Sequence, residues 1–253
     1  ALYYQETNGS CVAVGSHALF QCVSDQHTAV GHQASYTLTD TSSRFTVSVG
    51  CNALYSATYA YETCAIGNSA MQYSLTSAGD TAVGFEALQN NTGNFNTAIG
   101  QKCMSAATDT NNNTAVGNSA LITAVDVSNT VALGDGALDI LTTGNNNVSL
   151  GTGAGGTLAS GTGNIHLGYS AGPVSTTTES NKLYINNAAS VTPLILGDFS
   201  TGHVTINSTV SASAFSGSFS GDGSGLTGLS TAAEWDGTLN GDAEITGSLI
   251  VSG

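Results

Sequence analysis

The chain has very little positive charge and almost no proline. Its 253 residues include three Lys and Arg (Arg44, Lys102 and Lys182) against 17 Asp and Glu, which gives a formal net charge of −14, and only two Pro. Such a chain would repel a nucleic-acid backbone or an anionic membrane surface, so the composition argues against both as general partners. Because 40% of the residues are hydrophobic and only 8% are charged, a disordered chain is also disfavoured.

The chain also lacks a long hydrophobic run. No stretch reaches the roughly 18 consecutive apolar residues of a membrane-spanning helix, and no signal-peptide pattern opens the sequence. The chain starts at Ala1 without an initiator Met, inside sequence similar to its later repeats, and we expect it to be part of a longer protein. The cysteines share neither a metal-ligand spacing nor a repeat position, so we expect reduced, packed thiols, and a disulfide or a metal site is the alternative. They are Cys11, Cys22, Cys51, Cys64 and Cys103.

A motif that repeats ten times fills the chain from its start to Gly172. In each copy a small residue and an aliphatic residue precede a glycine, and alanine usually follows three positions later. The repeated glycines are Gly15, Gly31, Gly50, Gly67, Gly84, Gly100, Gly117, Gly134, Gly151 and Gly168. Their nearly constant interval predicts an all-β, solenoid-like fold of about ten turns, each of about 17 residues, called rungs 1 to 10 in the order of these glycines.

The columns of the repeat are numbered from this glycine, which is position 0. Positions −3 and −1 hold mostly Val, Thr, Ile or Leu, whereas −2 holds Ala or Ser in nine rungs and His166 in the last. The alternation predicts a short strand with −3 and −1 on the inner face and −2 on the other. Ala at +3 and Leu or Met at +4 predict a second inward-facing segment after the glycine corner. Asn and Thr at −4 predict a hydrogen-bonded ladder along the stack.

A thin coil of this kind buries few apolar groups. About four inward side chains a rung, each worth about 1.5–3 kcal/mol when buried, compete poorly with an ordering entropy of about 1–2 kcal/mol for every residue. We therefore expect the Ala and Ser face at −2 to be covered by another chain, which makes the protein an oligomer.

The period ends near residue 172. Residues 173–210 predict a β connector with short strands at Lys182–Ile185, Leu194–Leu196 and His203–Ile206. Residues 211–253 are rich in Gly and Ser with regularly placed Phe and Leu, too little apolar content for a monomeric core. We therefore expect a β-roll at 1–172, a connector at 173–210 and an intertwined β shaft at 211–253.

The candidate functional residues are those that depart from the repeat. Aromatic residues concentrate in the first 95 positions, and exposed rings there could stack on sugars or anchor a protein. The alternative is that they fill gaps between irregular rungs. The receptor-binding candidates are Tyr36, Tyr55, Tyr59, Tyr61 and Tyr73.

His166 is a candidate metal ligand, because three copies could meet on the axis of a trimer. The alternative is a larger side chain that closes the end of the roll. Two glycine patterns, Gly151–Gly156 and Gly223–Gly228, match G-x-G-x-x-G, but neither is followed by a helix pattern, so we interpret both as turns. Asp222 is likewise interpreted as a turn residue. No catalytic residue and no cofactor are assigned, and we expect a protein that is not an enzyme.

The rung motif resembles a known family. The segments from Asn113 to Leu121 and from Asn96 to Met104 resemble the head repeats of YadA-like trimeric adhesins, which form left-handed β-rolls. The Thr-Gly-Asn links at 92–94, 143–145 and 162–164 are similar to repeats of phage tail fibres, many of which end in an endosialidase-type chaperone domain. Segments 180–185 and 193–199 together look like the connector of such fibres, and segment 215–229 looks like their shaft motif.

The resemblance implies a homotrimeric, extracellular, non-enzymatic fibre segment. We expect a phage tail or surface fibre on the virion that displays a receptor-binding surface to a glycan or protein of the host cell, without nucleic acid and without membrane insertion. A bacterial cell-surface trimeric adhesin or extracellular filament is the first alternative. A glycan-degrading tailspike is the second, and it predicts a cleft with paired carboxylates on neighbouring rungs.

Overall fold

The computed structural model describes residues 10–211, so the predicted shaft and the second glycine pattern lie outside the described residues. Within residues 10–211 the chain forms fifteen strands and no helix, and hence no helix there could span a membrane. The strands are β1 (Val12–Val14), β2 (Asp25–Val30), β3 (Arg44–Val49), β4 (Tyr59–Tyr61), β5 (Cys64–Ile66), β6 (Thr76–Ala78), β7 (Thr81–Val83), β8 (Thr97–Ile99), β9 (Thr114–Val116), β10 (Val131–Leu133), β11 (Val148–Leu150), β12 (Ile165–Leu167), β13 (Lys182–Ile185), β14 (Ile195–Asp198) and β15 (His203–Ile206).

One parallel sheet contains a strand from every rung. Its order is β1-β2-β3-β5-β7-β8-β9-β10-β11-β12, and each residue pairs with the residue at the same repeat position in the next rung. Ala115, for example, pairs with Ala132, and Val116 pairs with Leu133. Strands β4 and β6 pair with each other off this path, and β4 also pairs with β3. The predicted all-β solenoid of about ten rungs is therefore confirmed.

The connector extends the sheet of the roll with one parallel strand and then with two antiparallel strands. Strand β13 pairs with β12 in the parallel sense, whereas β14 pairs with both β13 and β15 in the antiparallel sense. The three predicted connector strands are present. The middle one begins at Ile195, one residue later than predicted, and ends at Asp198, two residues later.

The repeated glycine is required by the distance between rungs. The ten corner glycines have φ between +115° and +141°, a conformation that residues with a side chain rarely adopt. A Cβ atom on Gly117 would collide with the carbonyl oxygen of Gly134 in the next rung, and the corners before and after it are equally crowded. The predicted glycine corner is confirmed, and both positive φ and close backbone approach require it.

The prediction of which strand face is internal was wrong. The side chains at −2 from rung 2 to rung 10 are fully buried inside the chain's own roll. They lie with the buried Ala at +3 and Leu or Met at +4, and most of the side chains at +7 are also apolar and buried. The larger side chains at −3 and −1 point outward instead, and Val14 is 56% exposed. So short a coil leaves little room between its two walls, and small residues on the strand therefore oppose the long side chains at +4.

Two exceptions show that −2 and +4 share this space. In rung 2 the long side chain at +4 is replaced by Ser35, whose hydroxyl hydrogen-bonds the hydroxyl of Ser48 at −2 of rung 3, with the oxygens 2.8 Å apart. In rung 9 the residue at +4 is Gly155, and a Cβ there would lie 3.1 Å from Nδ1 of His166 at −2 of rung 10. The large ring of His166 therefore occupies volume that the long side chain at +4 fills in other rungs.

The predicted polar ladder at −4 is confirmed, and it is buried. Asn113 Nδ2 donates to Oδ1 of Asn96 at 3.1 Å, and the backbone N–H of Thr130 donates to Oδ1 of Asn113 at 3.0 Å. Asn164 makes the same contact with Asn147 at 3.1 Å. Each of these amides also donates to a backbone carbonyl across the interior, as Asn113 does to Val127 at 2.8 Å. The ladder satisfies backbone groups that would otherwise be buried without partners.

The glycine corner generates a testable prediction. We expect Gly117→Ala to lower the free energy of unfolding by at least about 3 kcal/mol, because the added Cβ meets backbone that cannot rotate away. Gly136→Ala is the matched control. Gly136 also has a positive φ, +61°, but a Cβ added there would lie 3.9 Å from the nearest atom, a side-chain oxygen. We expect that change to cost about 1 kcal/mol. Chemical denaturation measures both, and equal losses would contradict the close-approach explanation.

Candidate functional site

Two of the five candidate tyrosines belong to an aromatic stack on the first rungs. Phe20, Tyr36 and Tyr55 occupy position +5 in rungs 1 to 3. Their ring centroids are 4.9 Å apart between Phe20 and Tyr36 and 5.0 Å apart between Tyr36 and Tyr55, with interplanar angles of 10° and 21°. The faces of these rings are therefore largely occupied by one another, and the stack packs three rungs together.

The other three candidates lie elsewhere. Tyr73 is 50% exposed at +6 of rung 4, and Tyr59 is half-buried at the start of β4. Tyr61 ends β4 and contacts the ring of Phe45 edge to face, with centroids 6.0 Å apart and an interplanar angle of 77°. The structure thus brings Tyr36 and Tyr55 together, and it places Tyr61 beside Phe45, which was not one of the candidates.

Phe45 and Tyr61 line a cleft of about 570 Å³ on rungs 2 to 4. Asp25 and Arg44 also line it, and they are register partners in β2 and β3, whereas Arg44 and Tyr61 are partners in β3 and β4. All three occupy position −6, so an Asp, an Arg and a Tyr follow one another on successive rungs, with their backbones at the strand spacing of about 4.8 Å. The hydroxyl groups of Ser24 and Ser42 complete the lining.

One wall of the cleft is the loop that makes the interval between Gly31 and Gly50 the longest of the repeat. Asp40 holds this loop: its Oδ1 accepts from the N–H of Ser42 at 2.7 Å, and its own N–H donates to the carbonyl of Thr58 at 2.9 Å. Ser43 Oγ accepts from the N–H of Ala60 at 3.1 Å. The extra residues therefore form a hydrogen-bonded wall beside Arg44.

Position −6 serves a different purpose in the later rungs. There Asn94 Oδ1 accepts from the N–H of Ala78 at 2.9 Å, and Asn111 Oδ1 accepts from the N–H of Asn94 at 2.9 Å. Asn145 Oδ1 accepts from the N–H of Ser128 at 2.7 Å. These side chains form a second, outer ladder that joins rungs. In rungs 2 to 4 the ladder residues are replaced by the three side chains that line the cleft.

Sequence reasoning found Tyr61 but missed Asp25, Arg44 and Phe45. The available signal was that Arg44 is the only arginine in the chain and lies within the longest interval between glycines. The alignment of Asp25 with Arg44 depends on strand register across that interval, which the spacing alone does not give.

His166 lies inside the roll of its own chain. Its side chain is fully buried, its Nδ1 hydrogen-bonds Ser149 Oγ at 3.0 Å, and its ring stacks on Tyr184 with centroids 5.6 Å apart. Because −2 is an inner position, the ring of His166 points into its own roll and not towards an axis between chains. The ring packs at the end of the roll, as the alternative interpretation has it.

The cysteines of the described segment are free thiols, two of them buried. Among residues 10–211, no group of three or more His, Cys, Asp or Glu has a metal-binding arrangement. Gly151–Gly156 is a corner and turn, with φ of +136° at Gly151.

A second cleft of about 300 Å³ lies in the connector. It contains Glu179 and Asp198, and Lys182 Nζ donates to Asp198 Oδ2 at 2.7 Å. This hydrogen bond and that from the N–H of Ser200 hold the pKa of Asp198 below its ordinary value. A glycosidase acid needs the opposite shift, so Asp198 is poorly suited to that role.

Two buried groups replace ladder residues at −4. Asp80 accepts from the N–H of Asn96 at 2.7 Å and from Ser77 Oγ at 2.9 Å, and burial raises its pKa to about 6. His27 hydrogen-bonds Ser24 Oγ at 2.9 Å and Thr46 Oγ1 at 2.7 Å, and burial lowers its pKa to about 4. Burial also lowers the pKa of His166 to about 4.

Comparison of the chain with protein-family models, with curated proteins and with solved structures found no match.

Asp80 generates a prediction about pH. The folded chain raises the pKa of Asp80 from 3.8 to about 6. The free energy of unfolding therefore falls as pH rises from about 4 through 6, by up to about 3 kcal/mol, because the folded chain must then bury an ionised carboxylate. We expect Asp80→Asn to be more stable than the wild type at pH 8, and the difference to vanish near pH 4. Chemical denaturation at both pH values measures it. The exposed Asp109→Asn is the control, and a gain independent of pH would contradict the prediction.

The buried histidines predict the opposite trend. Since the pKa of each falls from 6.5 to about 4, the folded state favours the neutral ring, and stability is lost as pH falls from 6.5 towards 4, by up to about 3 kcal/mol for each histidine. We expect His27→Asn and His166→Ser each to reduce the loss between pH 7.5 and 4.5. Denaturation curves at the two pH values test this against surface His17→Asn. Unchanged pH dependence in both buried variants would contradict it.

Proposed function

We propose that this chain is a non-enzymatic segment of a homotrimeric phage tail or surface fibre that displays a receptor-binding surface outside the cell. The observation that carries the proposal is the outward face at −3 and −1. Position −1 is aliphatic in every rung, and −3 is Val or Ile in five rungs and Thr or Cys in the others. Ile99 is 41% exposed and Leu133 is 37% exposed on this face. A continuous apolar column of this kind, unlike a single exposed Leu, is typical of an interaction surface.

The continuity of the face supports assembly. Ten strands at about 4.8 Å extend about 45 Å, and three residues span about 10 Å, so the face covers about 450 Å². This is the size of the largest apolar patch on a typical monomer, about 300–600 Å², and such patches are often functional. Because the −1 column is aliphatic in every rung, copies related by rotation about the stacking direction can cover the face along its whole length, which closed cyclic symmetry allows. The number of chains, three, and the left-handed coil of the roll are taken from the resemblance to YadA-like heads.

The assignment to a fibre rests on the segments outside the rung motif. The Thr-Gly-Asn links and the 215–229 motif are similar to tail-fibre sequences, and the regular rungs supply a scaffold while rungs 1 to 5 vary. The proposed partners are two further copies of the chain and a glycan or protein on the host surface. Release of reducing sugars from bacterial surface polysaccharides by the purified protein would overturn the non-enzymatic assignment.

The assembly is testable by sedimentation. We expect the wild-type chain to sediment at three times the 25.3 kDa of one chain and the variant Ile99→Asp with Leu133→Asp to sediment as a monomer, because the added carboxylates would be buried against the neighbouring copies. Gln101→Asp with Ala106→Asp adds the same charge at exposed positions outside the face and should remain trimeric. A monomeric wild type, or a trimer of the first variant, would overturn the proposal.

A further inference from the structure

We propose that the cleft at position −6 of rungs 2 to 4 binds a neutral sugar residue of a surface glycan. This inference rests on the proposed receptor-binding function and names its ligand class and its site. Of the five tyrosine candidates only Tyr61 lines this cleft, and the other lining residues that argue for it are Asp25, Arg44 and Phe45.

The lining matches the chemistry of a pyranose ring. A sugar offers apolar C–H faces, which pack on aromatic rings, and neighbouring hydroxyl groups, which a planar carboxylate or guanidinium can contact in pairs. The rings of Phe45 and Tyr61 stand at 77° to each other, and so they form walls of a cleft, unlike the closed stack of Tyr36 on Tyr55. The cleft of about 570 Å³ lies in the range of small-molecule sites, about 300–1,000 Å³.

The charges favour a neutral ligand over an acidic one. The charged residues in the lining are one Asp and one Arg, Asp25 and Arg44, so the lining has no net positive charge for a sialic acid or a sulfate. The whole chain carries −14, which repels anionic glycans at a distance. A neutral hexose or N-acetylhexosamine incurs neither penalty.

The side chain of Phe45, and not its backbone, departs from the repeat. Position −5 has a left-handed backbone in every rung from 2 to 10, so φ of +56° at Phe45 belongs to the repeat. Most other rungs place Gly, Asn or a polar side chain there, whereas Phe45 presents an aromatic ring that is 49% exposed. Phe95 at −5 of rung 6 is explained by packing, because its ring lies where a Cβ on Gly79 would be.

The cleft lies beside the proposed trimer face. The residues in its lining occupy positions −9 to −5, so none belongs to the −3 and −1 columns. Phe45 is the lining residue next to that face, two residues before Val47 in β3.

The test is binding of the full chain to an array of immobilised neutral, sialylated and sulfated oligosaccharides, followed by titration of the strongest neutral glycan in solution. We expect signal on neutral glycans, and affinity at least about tenfold weaker for Arg44→Gln and for Tyr61→Leu, since each loses a charged hydrogen bond or a ring contact. Lys102→Gln and Tyr169→Leu, exposed residues outside the cleft, are the matched controls and should bind as the wild type does. Circular dichroism melting confirms that each variant is folded, and Asp25→Asn provides a third cleft variant that adds no bulk.

The outcomes separate this inference from the proposed function. A trimeric protein that binds no neutral glycan, binds neutral glycans equally well in all three cleft variants, or loses sialylated binding in Arg44→Gln would overturn the neutral-sugar site and leave the trimeric fibre standing. A monomer by sedimentation would overturn the fibre, whatever the array shows.

Discussion

The carbonyl group of each periodic glycine lies against the Cα of the glycine in the preceding rung, with no room between them for a Cβ atom. This contact fixes the rungs at the spacing of neighbouring strands and aligns them residue for residue. Intervals of unequal length are accommodated without loss of register, since Ala29 still pairs with Ser48 across the longest one. Length variation is therefore confined to loops, and one such loop became a wall of the cleft.

The same tight coil determines which side chains face inward. Its interior accepts Ala or Ser from the strand and Leu or Met from the opposite wall, so the larger aliphatic side chains of the strand have no space inside and point outward. The roll thus inverts the usual arrangement, in which a sheet buries its bulkier apolar face. A chain built in this way has a core of its own and a second apolar face that needs a cover, which is the physical basis for proposing an assembly.

The periodic features could be predicted from the sequence, because a column of identical residues reports a shared environment. The glycine corners, the strands of the rungs and the Asn ladder at −4 followed from such columns. The direction of the strand face did not, because alternation identifies two faces and both were apolar or small. Nor did the left-handed conformation of residues such as Leu121 and Met104 at +4, with φ of +52° and +53°, since neither residue type indicates it. The cleft was missed because Asp25, Arg44 and Tyr61 are far apart in sequence and meet only through register.

Departures from the repeat have different consequences inside and outside the coil. Inside the coil, a larger side chain must be offset by a smaller one beside it, because the space is closed on all sides. The ring of His166 fits because Gly155 next to it has no side chain. At −6 on the outer surface, the later rungs gain a hydrogen bond from each Asn, whereas Arg44 and Tyr61 in rungs 3 and 4 do not make that bond. Since each rung of a solenoid contacts only its neighbours, that loss of stability stays local. A binding site can therefore be placed on a few rungs at one end while the rest of the stack keeps its pattern.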